Sequence, residues 1–209
     1  LRETRGLNAA TIDAFELGYA PDRWDGLLQH LQQVEGLAPE LLEAAGLVVP
    51  RKGGNGFYDR FRQRVMVPIA DRQGRIIGFG GRALDPEEKA KYINSPETQI
   101  YKKSHVLYNL NRAKQTAMKI DRILLVEGYM DAIAAHQAGV VNVVASCGTA
   151  LTAQQVKMLA RYANEVIVSY DPDTAGANAT DRSLMLLLEE GLTVRIVRLP
   201  DQLDPDSFV

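Results

Sequence analysis

With a single cysteine among 209 residues, Cys147, the chain cannot close an internal disulfide. It carries no CxxC, no HExxH and no Cys/His cluster, so it offers no soft ligand set for structural zinc. Cys147 reads as a small buried residue rather than a nucleophile. No stretch of eighteen apolar residues is present, which leaves no readable transmembrane helix. No basic n-region with an apolar core opens the chain, so no signal peptide is readable either, and a cytosolic protein is expected. Internal repeats and low-complexity segments are missing too. What remains, 46% hydrophobic and 24% charged residues, is the composition of an ordinary globular protein long enough for one large domain or two small ones.

The net charge of -2 conceals a segregation. Residues 1–50 carry 3 Lys/Arg against 8 Asp/Glu, residues 51–119 carry 15 against 6, and residues 120–209 carry 6 against 12. A basic middle beside an acidic final third predicts one surface for polyanions and another for cations, although a basic stretch alone is equally compatible with a solvated surface.

Apolar residues at three- and four-residue spacings predict short helices in NAATIDAFELGYA, RWDGLLQHLQQVEG and PELLEAAGLV. From Arg60 the period shortens: RFRQRVMVPIAD and RIIGFGGRAL are β-rich runs joined by the turn DRQG, a hairpin pattern. The stretch from Pro86 to Leu110 mixes Lys with Tyr without a sustained period and reads mostly as ordered loop, leading into a helix near Asn111–Lys119. Thereafter strands (RILLV, VNVVAS, EVIVSY, TVRIVRL) alternate with helices (YMDAIAAHQAG, TAQQVKMLARYA, AGANATDRSLMLLLEEG), which predicts a parallel α/β sheet flanked by helices. Thr152 is the expected N-cap of one helix, and Gly139 and Gly191 are expected helix stops. The expected organisation is therefore a smaller, basic α+β subdomain over residues 1–119 and an α/β subdomain over 120–209.

In an open parallel sheet, ligands gather outside the carboxyl ends of the strands. Glu127 follows RILLV, Asp171 and Asp173 follow EVIVSY within DPDTAG, and Asp204 and Asp206 follow TVRIVRL within DQLDPD; Asp131 lies one helical turn beyond Glu127. Two bare carboxylates 4 Å apart repel by about 1 to 4 kcal/mol, depending on the effective dielectric, so such an edge calls for a cation. All-oxygen ligands select a hard divalent ion, magnesium first and manganese as its substitute. Several acids leave room for two metals, which suits in-line phosphoryl or nucleotidyl transfer. Glutamate is a poor helix cap, and its place between a buried strand and Gly128 favours a site role for Glu127. Asp131 suits a helix dipole as well as a metal, so both roles stay open for it.

VEGYMD, then DPDTAG about forty residues later, then DPD, resembles the Toprim domain in the arrangement found in bacterial replicative primases. Upstream, GYAPD, DRFRQRVMVPI, GRIIGFGGRAL, KYINSPET and LYNL resemble successive segments of the RNA-polymerase domain of that family, so the likeness covers nearly the whole chain. It implies synthesis of short RNA primers on single-stranded DNA from ribonucleoside triphosphates, with divalent metal at Glu127, Asp171 and Asp173 and further acidic positions at Asp131, Asp204 and Asp206. It also implies that Arg60, Arg62, Arg82, Lys91, Tyr92, Asn94 and Lys103 handle template or triphosphate. Chemistry permits this, since arginine clamps phosphate, lysine supplies a point charge and tyrosine stacks on a base. Ser104 and Asn109 stand where the family leads one to expect glycine, and Asn109 is the milder change because asparagine tolerates left-handed backbone. The resemblance further implies an N-terminal zinc-binding domain and a C-terminal domain that binds the replicative helicase, neither of which this chain contains, and a place at the replication fork on the nucleoid.

Other uses of the same residues are a Toprim-type metal-dependent nuclease, which gives the basic hairpin and KYINSPET no evident task, and a topoisomerase, which needs a tyrosine nucleophile from another domain. A non-catalytic module that binds single-stranded nucleic acid would use the basic middle and leave the acids idle. Whether Glu127 is a general base or a metal ligand is open at this level.

Overall fold

The helical periods of the first fifty residues are cut short wherever the backbone turns left-handed. In the computed structural model, which describes residues 5–147, 150–170, 177–197, 199, 200 and 208, helix α1 (Ala9–Ala14) stops before Glu16, whose φ is 53°. The GYA that the periodicity assigns to the same helix is instead strand β1 (Gly18–Ala20). Helix α2 (Gly26–Gln33) follows, and α3 (Pro39–Ala44) ends ahead of Gly46 at φ 73°, so that the last residues of PELLEAAGLV open strand β2 (Val48–Pro50). Both helices are shorter than expected because β1 and β2 find partners distant in sequence, and pairing with these outweighs local propensity. Gly18 stands opposite Met66, and Val48 opposite Asp59.

Packing divides the chain into two compact units, one of residues 13–69 and 76–102, the other of residues 1–12, 70–75 and 103–209. In the first, β3 (Phe57–Asp59) pairs antiparallel with β2, while β4 (Arg64–Ala70), β5 (Ile76–Ala83) and β6 (Tyr92–Asn94) join β1 in a sheet of order β1-β4-β5-β6. Strand β6 falls within the stretch expected to be loop. It is only three residues long, too short for alternation to show in sequence, and is defined by its antiparallel register with β5. On β4, Val65, Val67 and Ile69 are buried, as period-two patterning requires. Leu28, Leu42 and Val48 form a second small core with Leu31, Leu37, Leu47 and Phe57 around them.

Helix α2 is capped from outside its own segment. Asp25 occupies the N-cap position without a side-chain bond. Instead Asp59, only 4% exposed, accepts the Leu27 N–H at Oδ2 (2.7 Å) and the Leu28 N–H at Oδ1 (3.0 Å). Two orphan amides of the first turn and one buried carboxylate are satisfied together. Asp59→Ala should therefore cost about 2 kcal/mol, a fall in Tm of roughly 4–8 °C at this chain length, and Asp59→Asn, which keeps one acceptor, should cost about half as much. Thermal unfolding followed by circular dichroism checks both.

The second unit holds the parallel sheet. The hairpin turn ahead of β5 is tied by Asp71, whose Oδ1 accepts the N–H groups of Gln73 and Arg75, with Gly74 at φ 89°. After a 3-10 turn at Lys103–His105 come α4 (Leu110–Ile120), β7 (Arg122–Val126), α5 (Tyr129–Gln137), β8 (Val143–Ala145), α6 (Ala153–Leu159), β9 (Glu165–Val168), α7 (Ala177–Glu189) and β10 (Thr193–Ile196). The four strands run in order β10-β9-β7-β8, every neighbouring pair parallel. This is the alternation of strands and helices expected from sequence. Ile123, Leu125, Val126, Val143, Val144 and Ala145 are all buried, the near-continuous apolar pattern of strands covered on both faces. Gly139 (φ 97°) and Gly191 (φ 84°) stand just past α5 and α7 in left-handed conformation, as stops require. Among the described residues no helix is long and apolar enough to cross a membrane.

Candidate active site

Strand β7 is an inner strand, so the backbone on either side of its last residues is held by hydrogen bonds. The Ser169 N–H donates to the Leu125 carbonyl (2.9 Å) on the β9 side. The N–H groups of Ser146 and Cys147 donate to the carbonyls of Val126 (3.3 Å) and Glu127 (2.9 Å) on the β8 side. Glu127 therefore leaves the sheet from a backbone fixed between two neighbouring strand ends. Its side chain is half-buried. The phenol of Tyr170, at the end of β9, is pushed up to about 12 by burial, against the opposing effect of a hydrogen bond with Ser183 and with the negative charge of Glu127 the smallest contribution. Asp171, Asp173, Asp204 and Asp206 lie outside the described residues.

The structure shows the capping role of Asp131. At the third position of α5 its Oδ2 accepts the Gly128 N–H at 3.0 Å, and the residue is 7% exposed. The N-cap itself is Gly128, with no side chain to contribute, so Asp131 supplies the return bond of a capping box. A Cβ on Gly128 would lie 2.8 Å from that Oδ2, which explains glycine here through close approach rather than backbone angle. Since Asp131 serves the helix start, Glu127 is not needed as its cap. Cys147, half-buried at φ 58°, has its thiol pushed up to about 12 by burial first and by Asp131 second. It stays protonated at neutral pH, as an inert residue should.

The basic candidates fall into two sets. Arg60, Arg62, Arg82, Lys91, Tyr92 and Asn94 belong to the antiparallel-sheet unit, whereas Lys103 belongs to the parallel-sheet unit. Arg82 and Tyr92 face each other across β5 and β6, and the guanidinium lies 5.4 Å from the tyrosine ring centroid. Asn94 is opposite Gly80 on the same ladder, and Lys91 is exposed just before β6. The Arg62 guanidinium lies 4.3 Å from the Trp24 ring and 5.1 Å from the Tyr58 ring while donating to the Asp59 carbonyl. Arg60 is half-buried, the pKa of its guanidinium is lowered by desolvation, and its Nε has no hydrogen-bond partner among the described residues.

Sequence reasoning missed three contributors. Trp24 and Tyr58 hold the Arg62 plane, and the one available signal was a lone tryptophan, 62% exposed here, in a chain poor in aromatics. Arg64 lies in the same FRQR run as Arg62 but is buried, its NH1 donating to the Ala90 carbonyl at 2.8 Å, so it holds the loop before β6 rather than facing solvent. Asn109 does adopt left-handed backbone (φ 65°) at the start of α4, and its Nδ2 donates to the Val143 carbonyl at 2.9 Å, a bond glycine could not make. Thr152 caps α6 as expected, with a full capping box to Gln155.

A parallel sheet of order β10-β9-β7-β8 with a carboxylate leaving the end of its inner strand is the architecture of a Toprim-type α/β domain. Residues 124–209 match the family described as Toprim-like, and residues 1–114 match the family described as DNA primase catalytic core, N-terminal domain. The DNA primase of Synechococcus elongatus is 46% identical over 215 residues, a match covering all of this chain and 31% of that protein. The DNA primase of Clostridium acetobutylicum is 51% identical over 205 residues, covering 98% of this chain and 34% of that protein. Among solved structures, a DNA primase domain from Pseudomonas aeruginosa superposes with a TM-score of 0.88 at 44% identity, covering 98% of this chain and 64% of that one. A DnaG primase catalytic domain bound to single-stranded DNA superposes at 0.86 with 43% identity, covering 100% and 65%. The chain belongs to the DNA primase family, and it spans about a third of the length of the relatives it matches.

Proposed function

We propose that this chain is the catalytic core of a DNA-dependent RNA primase, which joins ribonucleoside triphosphates into short RNA primers on a single-stranded DNA template in the cytoplasm, at the replication fork. The observation that carries this reading is the placement of Glu127 at the end of an inner parallel strand, with its backbone held on both sides and the helix cap supplied by Asp131 instead. Residues 120–209 serve as the catalytic subdomain and 1–119 as the subdomain that handles template and nucleotide.

The donor chemistry fits a hard divalent cation, magnesium or manganese: Glu127 offers only oxygen, and the other acids of the motif, Asp131, Asp171, Asp173, Asp204 and Asp206, do the same. Bound there, the ion would lower the cost of charge on the attacking hydroxyl and the leaving pyrophosphate. The protein's own contribution is positioning. The backbone of Glu127 is held by the neighbouring strand end, Arg62 is oriented by two rings, and Arg82 lies over Tyr92, which leaves planar donors and an aromatic face for phosphates and bases. Contact with the helicase and with a zinc-binding domain would run through other parts of the protein.

The deciding experiment incubates the chain with single-stranded template, labelled ribonucleotides and magnesium. Short RNA products support the reading, degraded or nicked DNA identifies a nuclease, and template binding without either product identifies a non-catalytic module. On the basic side, Arg82→Ala and Lys91→Ala should each weaken single-stranded DNA binding and flatten the slope of log affinity against log salt by about 0.7, with Tm little changed. Unaltered slopes in anisotropy titrations would remove both residues from the binding surface.

A further inference from the structure

Gln155 is a glutamine with no exposed surface, on the first turn of a seven-residue helix. Its Oε1 accepts the Thr152 N–H at 3.0 Å, which completes the capping box of α6. For that purpose glutamate would serve equally well. What glutamate lacks is a donor, and both N–H bonds of the Gln155 amide are used outside its own helix. Nε2 donates to the Val106 carbonyl at 2.8 Å and to the Lys103 carbonyl at 3.2 Å. The Thr152 hydroxyl adds a third tie, donating to the Ser104 carbonyl at 2.7 Å while its Oγ1 accepts the Gln155 N–H at 3.2 Å. Three carbonyls of the segment 103–106 are therefore held by two side chains at the start of α6. A buried amide left partly unsatisfied would be costly, so this bonding pattern specifies one conformation of the turn.

We infer that Gln155, together with Thr152, is a positioning residue for Lys103, fixing the backbone from which that lysine reaches a phosphate of the template or of the incoming triphosphate. The inference rests on the reading of Lys103 as a phosphate contact. Lysine is a point charge on a flexible four-carbon stem. Anchoring its Cα reduces the freedom that must be lost on binding, and this is where a remote amide can act on affinity.

The test compares Lys103→Ala, Gln155→Met and the double variant in the full chain, with folding monitored by circular dichroism. Binding is read by anisotropy, separately for a labelled single-stranded oligodeoxynucleotide and a fluorescent ribonucleoside triphosphate, across a salt series. Lys103→Ala should weaken the probe it contacts roughly tenfold, and the probe affected distinguishes template from triphosphate. Gln155→Met should reproduce much of that loss, and the double variant should bind no more weakly than Lys103→Ala. Loss with Lys103→Ala but none with Gln155→Met overturns the inference and leaves the role of Lys103 intact. No loss with Lys103→Ala removes the reading of Lys103, and the inference with it. Fully multiplicative losses in the double variant also overturn it, because Gln155 would then act elsewhere. Should Gln155→Met fail to fold, Thr152→Ser and Thr152→Val carry the comparison: serine keeps the hydroxyl on the Ser104 carbonyl and should bind normally, valine should bind weakly, and equal binding by both overturns the inference.

Discussion

Glu127→Gln should reduce primer synthesis by about 10²–10³-fold, the scale associated with losing one preorganised electrostatic contact to a reacting centre, while leaving the metal-free protein as stable as before or more so. The start of α5 is secured by the bond from the Gly128 N–H to Asp131, and the β7 end is secured by backbone bonds to β8 and β9, none of which needs the Glu127 charge. Glutamine keeps the shape and removes a negative charge from an edge where the sequence places several more, relieving repulsion. Magnesium should raise the Tm of the parent protein and barely move that of the variant, since a ligand that binds only the folded state stabilises in proportion to its affinity. Asp131→Ala provides the contrast. It removes the return bond of the capping box and should lower the metal-free Tm, at a cost of about 1 kcal/mol. A Glu127→Gln protein that melts lower without metal and still makes primers would identify Glu127 as scaffold and sink the active-site assignment.

Legibility in the sequence followed the range of the interactions. The parallel sheet could be read because each strand and its following helix are local patterns, and a buried parallel strand such as RILLV announces itself by composition. Thr152 and its capping box were legible for the same reason. Strand β1 was not, because GYA has no strand pattern of its own and becomes a strand only by pairing with Arg64–Met66. Nor was the role of Asp59, whose partner amides lie 31 and 32 residues earlier. At the site, the placement of Glu127 followed from strand logic, whereas the capping role of Asp131 shows only in which N–H its carboxylate accepts. Arg62 and Arg64, two residues apart in one basic run, look equivalent in sequence. One lies over two aromatic rings and the other is buried under a loop, since alternation along an extended segment is offset by where each finds its partners. Gln155 was invisible because its task depends on a segment about fifty residues upstream.

Among the described glycines, Gly46→Ala combines left-handed backbone with the closest approach to an added methyl group, and a large loss of stability is expected of it. Helix α3 ends in a full Schellman motif: the Gly46 N–H donates to the Glu43 carbonyl at 2.8 Å and the Leu47 N–H to the Leu42 carbonyl at 2.9 Å, with Gly46 at φ 73°. Left-handed backbone alone costs an L-residue about 1 to 2 kcal/mol. Here a second penalty is added, since a Cβ at Gly46 would lie 2.6 Å from Cδ and 2.8 Å from Cγ of Pro96. A proline ring has no rotamer by which to move away, so the backbone after β6 must shift, which costs a further 1–3 kcal/mol of overpacking. Gly53→Ala is the internal control, because its φ of 72° is nearly identical and nothing lies within 4 Å of the added carbon. At roughly 2–4 °C per kcal/mol for a chain of this length, Gly53→Ala should lower Tm by about 3–6 °C and Gly46→Ala by about twice that. Because Pro96 follows the strand that carries Tyr92 and Asn94, Gly46→Ala should also weaken single-stranded DNA binding below its melting range, and Gly53→Ala should not. Equal Tm losses in the two variants would show that the Pro96 ring yields freely, and that the contact does not hold the end of β6 in place.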